Sequence, residues 1–265
     1  MSPQTNRVEK AIADHISSER DLPTVPVKLR YAIVAQQRTG STLLATALAA
    51  TKQAGVPTEY LNPIYIAAYQ DRFKLQNPFT VANYLLHLES IRTTQNGAFG
   101  IKCLQFQLAN RFPTDKALSK FFKRYDRIIF LYRKDKLAQS VSNMKGMQSD
   151  VWQIQTSEDP KTLDVEYQFD LPLISRSLHA FIAQEQRFRK LLSELNVPIL
   201  TLSYEELTEG FDSVWPTICH HLGVRSVSAS DIEFKLRQQR DRKSEELTEE
   251  FLCAIRNSDL YFKKP

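Results

Sequence analysis

The stretch Gln37-Arg38-Thr39-Gly40-Ser41-Thr42 sets one guanidinium, three hydroxyls and a single glycine into six residues, one residue after the apolar run YAIVA. Arginine brings a fixed charge on a planar donor fork, the hydroxyls add donors, and glycine lets the backbone approach a ligand closely. Such a group can hold an anion. It can equally be an ordinary turn closed by a Ser or Thr helix cap, and on this segment alone both readings stand. A second stretch, YRKDKLAQSVS, offers Arg133 followed by Ser140 and Ser142. That is either another cation with hydroxyls or a solvated charge run with serines on a helix face. Lys102, in GIKCLQF, faces a bound group or reaches solvent from a strand end. Trp152 is an aromatic wall for a polar ring or a piece of core. Glu59, in Pro57-Thr58-Glu59-Tyr60, reads by itself as a loop carboxylate, since most glutamates are exposed.

These residues need a frame to bring them together. Tyr31–Ala35, Phe99–Leu104, Arg127–Tyr132 and Val197–Leu202 are short and mostly apolar, as strands buried on both faces are. Between them Leu43, Leu44, Ala47 and Leu48 recur at helical spacing, as do Leu178, Phe181, Ile182, Phe188, Leu191 and Leu192, and Val214, Ile218 and Leu222. Strands separated by helices predict an α/β fold with a central parallel sheet flanked by helices. Ligands of such sheets bind beyond the carboxyl ends of the strands, which is where Arg38 to Thr42 fall. Residues 1–28 read as a polar N-terminal extension, and residues 29–265 as a single domain.

Composition narrows the function classes. The chain has 265 residues, 42% hydrophobic and 25% charged, and no apolar run near the ~20 residues of a membrane span. The N-terminus lacks the apolar stretch of a secretory signal, so a cytoplasmic location is expected. Cys103, Cys219 and Cys253 are odd in number and far apart, which indicates neither a disulfide frame nor a zinc site, and no metal is expected. A net charge of +5 permits an anionic partner. The basic residues are scattered and no nucleic-acid-binding signature occurs, so the expected partner is a small anion rather than nucleic acid. A nucleotide triphosphate loop of the form G-x-x-x-x-G-K-[ST] is excluded: Gly40 stands alone and Ser41, not lysine, follows it.

Taken in order, QRTGSTLL, YRKDKLAQSVS, SYEEL and RDRKSEEL resemble the segments of the PAPS-dependent sulfotransferases, whose donor is 3′-phosphoadenosine 5′-phosphosulfate. Within that superfamily the likeness is closest to the bacterial trehalose 2-sulfotransferase type. Its marks are QRTGSTLL, AGVPTEYL, GIKCLQF, QSVS and the Val-Trp of Gln148-Ser-Asp-Val-Trp152, which run from residue 31 to about 255. The resemblance implies a P-loop-like sulfotransferase fold. It places Arg38, Thr39, Gly40, Ser41 and Thr42 in the 5′-phosphosulfate loop, and Arg133 with Ser142, or as second choice Ser140, at the 3′-phosphate. Tyr204 falls near the adenine, and Arg242 and Lys243 in the late basic segment.

The same resemblance makes Glu59 the general base, with Arg38 assisting; Lys102, facing the sulfonate or the acceptor, and Trp152, as an aromatic wall, are the further expected substrate contacts. A base needs a pKa raised toward neutrality, and partial burial beside Tyr60 and Leu61 is expected to raise it. His15, His87, His179, His220 and His221 lie in the lead-in or on helix faces, where structural roles are the expectation. The chain departs from the trehalose enzyme at Val56, where that type has an acidic residue, and in IYIAAYQDRFKLQNPF. The implied activity is sulfuryl transfer from PAPS to a hydroxyl of a small, polar, carbohydrate-like acceptor. A non-catalytic nucleotide-binding protein and a nucleoside kinase-like enzyme are the alternatives, and a homodimer is compatible with the sequence.

Overall fold

The computed structural model describes residues 12–13, 15–74, 80–149, 166–226 and 242–262. Four parallel strands, β1 (Leu29–Ala35), β2 (Ala98–Leu104), β3 (Arg127–Tyr132) and β4 (Ile199–Ser203), form a sheet in the order β2-β1-β3-β4. The expected strands are all present, with ends shifted by up to two residues. The last begins at Ile199 rather than Val197. Pro198 has no N–H to give the ladder and serves it only as an acceptor, taking Ile128 N at 3.0 Å.

Alternation along the strands sends their side chains to two faces, both apolar. On one face Ala32, Val34, Phe99, Ile101, Ile128 and Phe130 pack under α3 (Val81–Arg92), α5 (Asp115–Phe122) and α7 (Leu171–Ser193). On the other, Tyr31, Ile33, Ala35, Ile129 and Leu131 pack under α1 (Ser41–Ala50) and α9 (Phe211–Leu222). Every residue from Tyr31 to Ala35 is fully buried. At about 1.5–3 kcal/mol per buried large apolar side chain, covering both faces is what stabilises so short a sheet. Close fit shows at Tyr31, whose ladder partner is Gly100. A Cβ on Gly100 would stand 2.3 Å from the Tyr31 ring, and the phenol passes over it to donate to Ala54 O at 2.6 Å.

The remaining helices are α2 (Pro63–Phe73), α4 (Gln105–Arg111), α6 (Lys136–Ser149), α8 (Tyr204–Glu209) and α10 (Arg242–Phe262). A third apolar cluster joins α6, α7 and α10 through Val141, Met144, Ile174, Leu247 and Phe251. Residues ahead of the sheet are tied to α3. Fully buried Arg92 donates to the carbonyls of Arg20 and His15 and to Asp21, and Leu22 N donates to Ile91 O at 2.9 Å. Among the described residues no helix is long and apolar enough to cross a membrane.

Strand order decides where a ligand can sit. The chain leaves β1 towards β2 on one side and leaves β3 towards β4 on the other, so the neighbours β1 and β3 part company at their carboxyl ends. That crevice is the switch point of the sheet.

Candidate functional site

The turn after β1 is built from two left-handed residues. Arg38 has φ +62° and Gly40 φ +73°, which lets the chain reverse within four residues and start α1 at Ser41. Such a backbone is unusual for arginine and is found where surrounding structure enforces it. Thr39 is buried and donates its hydroxyl to Gln36 O at 2.8 Å, so it braces the turn instead of facing outward. The cap of α1 is Gly40, no side chain caps the helix, and its first turn holds no acidic residue. The simple Ser or Thr cap is thereby ruled out. The positive end of α1, with no acidic side chain in its first turn, is suited to an anion.

Two arginines meet over that end. Arg38 Nε donates to Ser142 Oγ at 2.8 Å, which joins the turn to α6, and Arg133 Nη1 donates to Arg38 O at 3.3 Å. Arg133 is 7% exposed and lies 4.5 Å over the Tyr204 ring, a cation–π contact worth about 0.5–2 kcal/mol. Burial, and after it the charge of Arg133, pull Arg38 down to about 10. Arg38 is therefore charged at neutral pH and is repelled by Arg133, a cost that a bound anion would offset.

The surroundings hold this pair in place. Glu205 accepts the backbone N–H of Lys134 and of Asp135, fixing the turn that carries Arg133. Gln139 donates to Gln37 O at 2.8 Å, fixing the turn that carries Arg38. Ser140 is spent on its own helix, donating to Lys136 O, so of the two candidate serines only Ser142 faces the arginine pair.

A second constellation adjoins the first. Lys102 Nζ lies 2.8 Å from Glu59 Oε1 and donates to Thr42 Oγ1 at 2.8 Å, while Gln107 Nε2 donates to Glu59 Oε2 at 2.8 Å. The loop bearing Glu59 is laid along β2 by Lys102 N donating to Thr58 O at 2.9 Å. Lys102 is 4% exposed, so it is an internal cation and not a strand-end lysine in water. Burial was expected to raise the pKa of Glu59, and the net direction is the reverse. Desolvation does push the carboxyl up, but the charge of Lys102 and the hydrogen bonds of Lys102, Gln107 and Asn62 together outweigh it. Glu59 is ionised at neutral pH.

The remaining sequence candidates fall as follows. Arg242 and Lys243 open α10, face solvent and pair with Glu246, and the same turn reaches α6 where Lys145 Nζ meets Ser244 Oγ at 3.0 Å. Trp152 lies outside the described residues. His87 stacks on Phe73, His179 bonds Ser175 O, His221 bonds Ile128 O and His15 packs on Tyr65. Glu205, Gln107, Gln139 and Tyr167, whose ring faces Lys145 at 4.7 Å, are site neighbours that sequence reading missed. Only Glu205 had a local signal, its place beside Tyr204.

A model of the family described as Stf0 sulphotransferase matches residues 30–252. The trehalose 2-sulfotransferase of Mycolicibacterium smegmatis is 25% identical over 254 residues, covering 83% of this chain and 93% of that protein. Among solved structures, a sulfotransferase from Alicyclobacillus acidocaldarius is 16% identical with a TM-score of 0.44, covering 85% of this chain and 92% of its own. One from Mycobacterium avium is 14% identical with a TM-score of 0.43, covering 93% and 72% respectively.

Proposed function

The chain belongs to the Stf0 sulphotransferase family and is a sulfotransferase, and on that premise we propose that it transfers the sulfuryl group of PAPS to a hydroxyl of a small, polar, carbohydrate-like acceptor, with Glu59 as general base. The observation that carries the reading is Lys102, whose single ammonium touches both Glu59 and Thr42 at 2.8 Å. It ties the carboxylate to the open end of α1. A proton acceptor thus stands beside an anion cradle, the pairing that group transfer to a hydroxyl needs.

The roles follow from the residues. The turn N–H groups, Gly40, Ser41, Thr42 and Arg38 receive the 5′-phosphosulfate end of the donor, and Arg133, Ser142 and the Tyr204 ring its 3′-phosphate and adenine end. PAPS supplies an activated sulfuryl group. Glu59 takes the proton of the acceptor hydroxyl as its oxygen bonds to sulfur, and the sulfur–oxygen bond to the 5′-phosphate breaks. Lys102 and the end of α1 stabilise the negative charge that gathers on that phosphate. As Lys102 turns to the phosphate it releases Glu59, whose burial then raises its proton affinity at the moment a base is wanted.

Donor class is tested by calorimetry with 3′,5′-ADP, the desulfated product, against ATP with and without Mg²⁺. The expected result is much tighter 3′,5′-ADP binding that needs no Mg²⁺. Tighter, Mg²⁺-dependent ATP binding would overturn the donor assignment. Incubation with PAPS and a library of sugars and small alcohols, read by mass for an added sulfonate, then finds the acceptor.

A further inference from the structure

Lys136 is the first residue of α6 and follows Arg133 by three positions. A cation there sits at the positive end of a helix whose first turn holds no acidic residue, so helix stability does not account for it. Its contacts lead elsewhere. An ammonium has three N–H groups, and three acceptors surround this one: Arg133 O, Gln139 Oε1 at 3.4 Å and the Glu185 carboxylate of α7.

Each partner belongs to a part of the donor site. Arg133 O is the carbonyl of the residue whose guanidinium lies over Tyr204 and donates to Arg38 O. Gln139 gives its NH₂ to Gln37 O at 2.8 Å and to Gln36 Oε1 at 3.4 Å, so it reaches the turn after β1. The other oxygen of Glu185 accepts Arg189 Nε at 2.8 Å, and that guanidinium rests 4.3 Å over the Tyr132 ring at the end of β3. One turn earlier on α7, Phe181 O takes the amide of Gln36 at 2.7 Å. One helix therefore grips both turns, the one bearing Arg38 and the one bearing Arg133.

Lys136 and Glu185 expose 17% and 12% of their side chains, which sets them apart from a surface pair. Taking two charges out of water is costly, and an apolar pair of equal volume often serves stability as well or better. An apolar pair could not hold a backbone carbonyl.

Resting on the donor assignment above, we propose that Lys136, held by Glu185, is a positioning residue for the 3′-phosphate: by fixing the Arg133 carbonyl against the Gln37 turn it sets the spacing of the two arginines, and with it the preference for a nucleotide phosphorylated at 3′ and 5′ over a monophosphate. Both side chains act through Arg133. A charge-assisted bond depends on distance and angle, so a guanidinium left loose loses most on the group at which it was aimed.

The test is a double-mutant cycle on the full chain, with the affinities of 3′,5′-ADP and 5′-AMP read by calorimetry. Lys136→Met keeps the stem and removes the donors. It should lose about threefold to thirtyfold for 3′,5′-ADP, the usual size of coupling within one network, and little for 5′-AMP, whose retained binding shows that the variant is folded. In an Arg133→Ala background the same substitution should change neither affinity further, because nothing is left to position. Glu185→Gln keeps the shape of the clamp without its charge and should repeat the pattern more weakly, and it decides the matter if Lys136→Met does not fold. An equal loss for both nucleotides, an unchanged ratio in a folded variant, or a loss that persists in Arg133→Ala overturns the inference. Each of these leaves the donor assignment standing as long as wild type prefers 3′,5′-ADP to 5′-AMP. A wild type without that preference overturns both.

Discussion

Lys102 holds Glu59 ionised and Thr42 in place with one ammonium, so the two halves of the site depend on a single buried charge. If Glu59 is the base, Glu59→Gln keeps the size and the bond to Gln107 but removes proton acceptance. Turnover should fall by ~10²–10⁴ with 3′,5′-ADP affinity nearly unchanged; wild-type turnover would move the role elsewhere. The same pair gives a pH signature. The Glu59 carboxyl is held below its ordinary value of 4.5, so the stability it contributes is fully present above that value and is lost as the pH falls through the lower folded one. Melting wild type and Glu59→Gln from pH 7 to pH 3 should show their difference shrinking on the acid side. A difference that stays constant with pH would mean that the ion pair contributes nothing through its charge. The sequence suggested Glu59 and Lys102 separately, but their contact needs the 56–60 loop laid along β2, a non-local fact.

At the scale of elements, the strands and the α1 turn could be read from apolar runs and from Gly40, because burial on two faces and tight reversals leave local marks. The bracing could not. Thr39 turns inward to Gln36, and Glu205 reaches back 70 residues to the Asp135 N–H. Such pairings depend on β3 and β4 lying side by side. Arg242 and Lys243 were plain as a charge pattern, but their pairing with Glu246 at the start of α10 follows from helix geometry, which the pattern alone did not specify. Gly40 joins two elements. A Cβ there would stand 3.1 Å from Tyr204 Cδ2 and 3.3 Å from Leu207 Cδ2, on a left-handed backbone. Gly40→Ala should cost about 1–2 kcal/mol from the backbone alone, lowering the melting temperature by roughly 2–8 °C. Because it presses on the ring beneath Arg133, it should also weaken 3′,5′-ADP. A variant with unchanged melting and affinity would show that the turn is not held as described.

For the whole molecule, the order β2-β1-β3-β4 is what converts scattered motifs into one crevice, since only β1 and β3 diverge at their carboxyl ends. Parallel strands were legible, but their lateral order was not, because no single segment encodes its neighbour. Motif order along the chain pointed to the family, and the match over residues 30–252 agrees. The central claim is that Arg133 and Ser142 serve the 3′-phosphate while Arg38 serves the donor at large, and the direct measurement is the affinity of 3′,5′-ADP and of 5′-AMP for wild type, Arg38→Ala and Arg133→Ala. A charge-assisted bond to phosphate is worth roughly 1.5–3 kcal/mol, or about one to two decades. Arg133→Ala should lose that much for 3′,5′-ADP and little for 5′-AMP, whereas Arg38→Ala should weaken both. An equal loss for the two nucleotides in Arg133→Ala would contradict the account, because the 3′-phosphate would then bind somewhere else.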